Sequence, residues 1–162
     1  MDAFLELFEQ TSLLWGLGFI LIIAGLFYLR AYLDYRAIKH EAPADFAYKR
    51  RENMIAATVS QEDYIKAYIR YHAPRAPLHV AGVLSAIAIL TLPALGLFYG
   101  VTFALWEMNG KDKVFAPGLL VHSLLMYFLI IFFWSALAFF AAKNYHGKAP
   151  ISLTEELAKE TA

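Results

Sequence analysis

Residues 76–106 read APLHVAGVLSAIAILTLPALGLFYGVTFALW, 31 positions without one Asp, Glu, Lys or Arg. A helix rising about 1.5 Å per residue needs roughly 20 mostly apolar residues to cross the hydrocarbon of a bilayer. This stretch exceeds that length, and two more accompany it. Residues 10–29 and 114–142 are equally free of charge, over 20 and 29 positions. Three such runs in a chain of 162 residues predict an all-α integral membrane protein. Its transmembrane helices fall at about 11–33, 78–106 and 117–142, within a single membrane domain. The two longer runs are expected to tilt or to reach into the interface.

Composition agrees. Charged residues make up 17% of the chain, where a soluble domain carries about a quarter. The net charge of zero leaves no excess of cations to displace counterions from phosphates, which excludes nucleic acid as a partner. The chain has no cysteine, so disulfides, thiolate metal sites and cysteine nucleophiles are excluded together. Asp2, Glu6 and Glu9 precede the first run where a cleaved signal would be basic, so that run reads as a retained helix.

Charge also predicts orientation. Nine of the 14 Lys and Arg residues lie between Arg30 and Arg75, and Lys143, Lys148 and Lys159 follow the third run. The link between the second and third runs has only Lys111 and Lys113. Basic loops stay on the cytoplasmic side. The reading is a multi-pass protein of the cell inner membrane, with its amino terminus outside and its carboxyl-terminal tail (143–162) in the cytoplasm.

The segment 34–77 is too long for a plain connector and is expected to hold interfacial or cytoplasmic helices. Pro43 opens one helix reaching about residue 57. Ser60 and Asp63 resemble a capping box for a second over 60–72, with Ile65, Tyr68, Ile69 and His72 on one face. Lys49, Arg50, Arg51, Tyr64 and Tyr68 form the expected lipid- or partner-facing surface. In the tail, Ser152 and Glu155 make a second capping box. Asn109-Gly110 supplies a turn between the second and third spans, and Pro117 suits the first position of the third helix. Those two spans should run antiparallel.

Chemistry-bearing groups are sparse. No Asp, Glu, Lys, Asn or Gln lies within the span cores, which argues against an ion-coupled transporter acting alone. The span serines and threonines lack a histidine–carboxylate partner by spacing, so a serine nucleophile is unsupported. Arg30, Arg36, Arg70 and Arg75 sit near span ends, where snorkelling and orientation account for them. His72, His79 and His146 fall near one membrane surface and are candidate haem or metal contacts, against a plainer reading as interfacial histidines. His122 lies near the other surface, about 20 Å from His79 along the membrane normal, and is a candidate contact for a quinone or a neighbouring helix. No cofactor is predicted outright, with haem or quinone as the alternative.

The best-organised feature is steric. Gly82, Ala86, Pro93, Gly96 and Gly100 share one stripe of the second span. Small residues allow close helix packing in lipid, here against another helix of the chain or of a partner. The reading that results is a non-catalytic accessory, structural or assembly subunit of a larger inner-membrane complex, such as a respiratory one. Its partners are membrane lipids and other membrane subunits, or itself. A haem- or quinone-binding redox subunit and a homo-oligomeric membrane enzyme or transporter are the alternatives.

Overall fold

The computed structural model describes residues 2–147, 150 and 152–161, with side chains from 12 to 160 among them. Lys148 and the side chains of Asp2, Glu6 and Glu9 lie outside the described residues. The described chain is helical throughout its ordered elements: α1 (Asp2–Arg51), α2 (Gln61–His72), α3 (Arg75–Met108), α4 (Leu120–Gly147) and α5 (Leu153–Thr161), with a 3₁₀ turn at Lys113–Phe115. Among the described residues there is no strand. Helices α1, α3 and α4 are long and apolar enough to cross a membrane.

Helix α1 corrects the first expectation. It does not stop near residue 33, and no separate helix opens at Pro43. It runs for 50 residues with Pro43 inside it. Charge changes beyond Leu29 but helix propensity does not, because Ala, Leu, Lys, Arg and Glu predominate. Ion pairs one turn apart, Arg30 with Asp34 at 3.9 Å and Asp45 with Lys49 at 3.1 Å, support the extension. Pro43 removes one ladder bond, to the carbonyl of Lys39. Lys39 is exposed, so water can satisfy that carbonyl. The helix ends instead at Asn53, whose φ of 55° is left-handed. Met54 N–H then bonds the Lys49 carbonyl at 2.9 Å and Asn53 N–H the Arg50 carbonyl at 3.3 Å. This is a Schellman termination with Asn in the place usually held by Gly.

Helix α2 begins where the sequence placed it. Ser60 Oγ accepts from Asp63 N–H at 3.1 Å, and the Ser60 hydroxyl donates back to the Asp63 carboxylate at 2.5 Å. The shorter Asp thus pairs with the capping hydroxyl, where Glu would reach the backbone. Helix α3 passes through Pro93 unbroken and stops at Gly110, whose φ is +75°. There Lys111 N–H bonds the Trp106 carbonyl at 3.1 Å and Gly110 N–H that of Glu107 at 3.3 Å. Pro117 does not open α4. It precedes Gly118 (φ +87°) in a turn closed by Leu119 N–H on the Ala116 carbonyl at 3.1 Å, and α4 starts at Leu120. A Pro-Gly pair in the middle of a turn matches type II geometry.

The chain divides into two compact units, Met1–Ala24 with Gly82–Lys143, and Gly25–Ala81 with Asn144–Ala162. In the first, α3 and α4 pack through Thr91, Ala94 and Thr102 on one side and His122 and Ile130 on the other, all buried. Trp134 Nε1 donates to Thr91 Oγ1 at 3.0 Å, and Thr102 meets His122 at 3.0 Å. Numbers rise along α3 as they fall along α4, so the two run antiparallel, as expected. In the second unit Ala31 and Ala42 of α1 and Tyr64 and Ala67 of α2 are buried, and α5 lies on α2.

Candidate functional site

In the second unit the expected surface cluster has been taken apart by folding. Tyr64 is fully buried, and its hydroxyl donates to the Asp45 carboxylate while accepting from Lys49 Nζ at 2.9 Å. Tyr64 and Lys49 are therefore not a lipid-facing pair. The α1 extension supplies a wall that the sequence reading lacked. Burial pushes the Asp45 carboxyl up, but the Tyr64 hydrogen bond and the Lys49 ammonium outweigh it and hold the group below its ordinary value. Burial pulls Lys49 down, and its bonds to Tyr64 and Asp45 lift it above its ordinary value. Burial and the Asp45 acceptor raise the Tyr64 hydroxyl.

Arg50 turns to the loop beyond α1, donating to the carbonyls of Ala56 at 2.7 Å and Ala57 at 2.9 Å. Arg51 is exposed. Tyr68 is half-buried, its ring 6.0 Å from Tyr64 and 4.3 Å from His72. The Ser152 cap forms as read, accepting from Glu155 N–H at 3.1 Å. It starts a helix held on α2 by Arg70, whose guanidinium lies 2.7 Å from Glu160 and 3.6 Å from the buried Glu156.

His79 and His146 share a neighbour in Tyr145, while His72 packs within its own helix. His79 Nδ1 bonds the Arg75 carbonyl at 2.9 Å, and its ring meets Tyr145 edge-on at 5.1 Å. Arg75 donates to the Tyr145 carbonyl at 3.0 Å, and His146 flanks the same tyrosine at 5.2 Å. His72 packs on Tyr68 and Tyr71 within its own helix. Among the described residues no three of His, Asp and Glu are grouped to hold a metal ion.

His122 is the most buried histidine, at 5% exposure. Beside it opens a cavity of about 420 Å³, walled by Leu105, Trp106, Phe115 and Leu125. Thr102 also lines this space, while Asn109 and Asp112 add polar groups. The indole of Trp106 is fixed by a 2.8 Å bond to the Asp112 carbonyl. The sequence placed His122 near a span end but gave no sign of the cavity. It depends on the 3₁₀ turn at Lys113–Phe115, which carries Phe115 to the wall.

The small stripe of α3 is half-buried at Gly82 and Ala86 and open further along the helix. Pro93, Gly96 and Gly100 are exposed, and a Cβ placed on Gly82, Gly96 or Gly100 would meet nothing within 4 Å. At about 100° per residue, the buried positions Ala88, Thr91, Ala94 and Thr102 lie on nearly the opposite side of the helix.

No family model, curated protein or solved structure matches the chain.

Proposed function

We propose that this chain is a three-span subunit of a larger inner-membrane complex, such as a respiratory one, with an accessory or assembly role and no catalysis of its own. The open face of small residues on α3 carries the reading. A helix that packs within its chain through Thr91, Ala94 and Thr102 has no internal need for a second small face. Close approach of another membrane helix supplies that need, through dispersion and weak backbone contacts.

Exposure elsewhere supports a lipid setting. Phe128, Ile131 and Phe132 of α4 and Ile22 and Leu26 of α1 are exposed, a surface too apolar for water. The distribution of basic residues supports an orientation with 34–77 and the tail in the cytoplasm and the Asn109–Gly110 turn outside. Because the chain has no cysteine, single introduced ones report this cleanly. A cysteine at position 62 should react only once the cytoplasmic side is opened, and one at 111 from outside; the reverse pattern would invert the orientation.

Purification from native membranes in mild detergent tests the assembly role. The chain should travel with at least one different membrane polypeptide in fixed ratio. Recovery as a monomer, or only with copies of itself, would contradict the reading.

A further inference from the structure

The cavity beside His122 stands apart from the small face and leads to a different inference. Thr102 Oγ1 lies 2.9 Å from the Phe98 carbonyl, 3.0 Å from the Tyr99 carbonyl and 3.0 Å from His122 Nε2. A hydroxyl carries one hydrogen, and carbonyls only accept. With that hydrogen directed back along α3, the Thr102 oxygen accepts, and His122 Nε2 is the donor. In the neutral ring Nδ1 is then an unprotonated acceptor. It has no hydrogen-bond partner among the described residues, and it is not among the side-chain atoms sealed from solvent.

The surroundings narrow what it accepts from. The space of about 420 Å³ falls within the range of roughly 300–1,000 Å³ common for small-molecule sites. Its walls are apolar and partly aromatic, and Tyr99 meets the His122 ring edge-on at 5.7 Å. Asn109 and Asp112 give a second set of polar atoms. We infer that the cavity binds a neutral ring diol of the hydroquinone class, one hydroxyl donating to His122 Nδ1 and the ring packed among Leu105, Trp106 and Leu125. The oxidised quinone has only acceptor oxygens. Against an unprotonated Nδ1 it places lone pair against lone pair, so the tautomer with the proton on Nε2 favours the reduced form.

Calorimetric titration of the detergent-solubilised full chain tests this with a short-chain benzoquinol, its quinone and a monoacylglycerol. An acceptor set against the quinone's oxygen in the cavity is left unpaired, so the quinol should bind at least about fivefold tighter than the quinone. His122→Leu should abolish that preference. Nitrogen-15 NMR of the unmodified protein gives a readout independent of the variant's folding: the His122 Nδ1 resonance should move with quinol and stay with quinone. Equal binding of the two redox forms, no binding of either, or a preference surviving in His122→Leu would overturn the inference. Monoacylglycerol binding as tightly as quinol would overturn it too, by assigning the cavity to a lipid hydroxyl.

Discussion

The Lys49 ammonium lies 2.9 Å from the Tyr64 hydroxyl, joining α1 to α2 across 15 positions of chain. The same hydroxyl donates to Asp45, one turn back along α1. A fully buried tyrosine thus has both its donor and its acceptor used by two residues that are themselves ion-paired at 3.1 Å. Buried polar groups stabilise only when satisfied, and this one is satisfied by the extension of α1 past Pro43. The lock explains why the segment between the first two long helices is ordered.

Replacing Tyr64 with Phe keeps the ring contact with Phe46, centroids 5.4 Å apart, and removes the hydroxyl. Asp45 and Lys49 then lose their shared partner while staying partly buried. The expected loss is about 1–3 kcal/mol, read as earlier proteolysis within residues 52–59 while helix content stays near that of the unaltered protein. Cleavage no faster than in the unaltered protein would mean that the hydroxyl contributes nothing.

The same trio sets a pH window. Asp45 titrates below its ordinary value in the folded state. Its contribution is present above the unfolded value of ~3.9 and is lost as pH falls through the folded value. Lys49 and Tyr64 are both raised. Their contributions are full below the unfolded values of ~10 and are lost as pH rises through the folded ones. Protection of α2 amides from hydrogen exchange, corrected for intrinsic rates, should be flat between about pH 5 and 9 and fall on both sides. In Tyr64→Phe the alkaline loss should be smaller.

Arg70 holds α5 in place through Glu156 and Glu160. A helix of 9 residues is not stable alone in water. Arg70→Gln should therefore raise amide exchange across residues 153–160 towards that of an unfolded peptide, and high salt should raise it partway in the unaltered protein. Unchanged exchange would assign the docking to apolar contact.

Gly96→Leu with Gly100→Leu separates chain folding from assembly. An added Cβ meets nothing within 4 Å at either position, and Leu favours helix over Gly by somewhat under 1 kcal/mol per site. The melting temperature of the isolated chain in detergent should hold or rise. Recovery of its companion should fall. A lowered melting temperature with companion recovery intact would reverse the assignment of this face.

Three long helices were legible because uncharged runs of this length have few other uses, and the caps at Ser60 and Ser152 and the turn at Asn109-Gly110 were legible because they are local chemistry. Helix boundaries set by backbone compromise were harder. Pro43 reads as a helix start, yet the carbonyl it frees belongs to an exposed residue, Lys39. The true stop is Asn53, a weaker αL signal than Gly. The side of α2 that Tyr64 occupies could not be read, because its wall is the part of α1 that Pro43 concealed. The small stripe was visible as a pattern. Its exposure at Gly96 and Gly100 was not, since periodicity names a face and leaves its occupant open. His122 was noticed for its polarity, but the cavity beside it depends on a turn with no periodic signature.

The assembly reading rests on what touches the open face of α3, and site-specific photocrosslinking in native membranes asks that directly. A photoreactive amino acid placed at position 96 or 100 of the full chain should form an adduct with a different membrane polypeptide. The same polypeptide should be captured from both positions, because Gly96 and Gly100 lie one turn apart on one face. Adducts with lipid alone, or only with a second copy of this chain, would contradict the account.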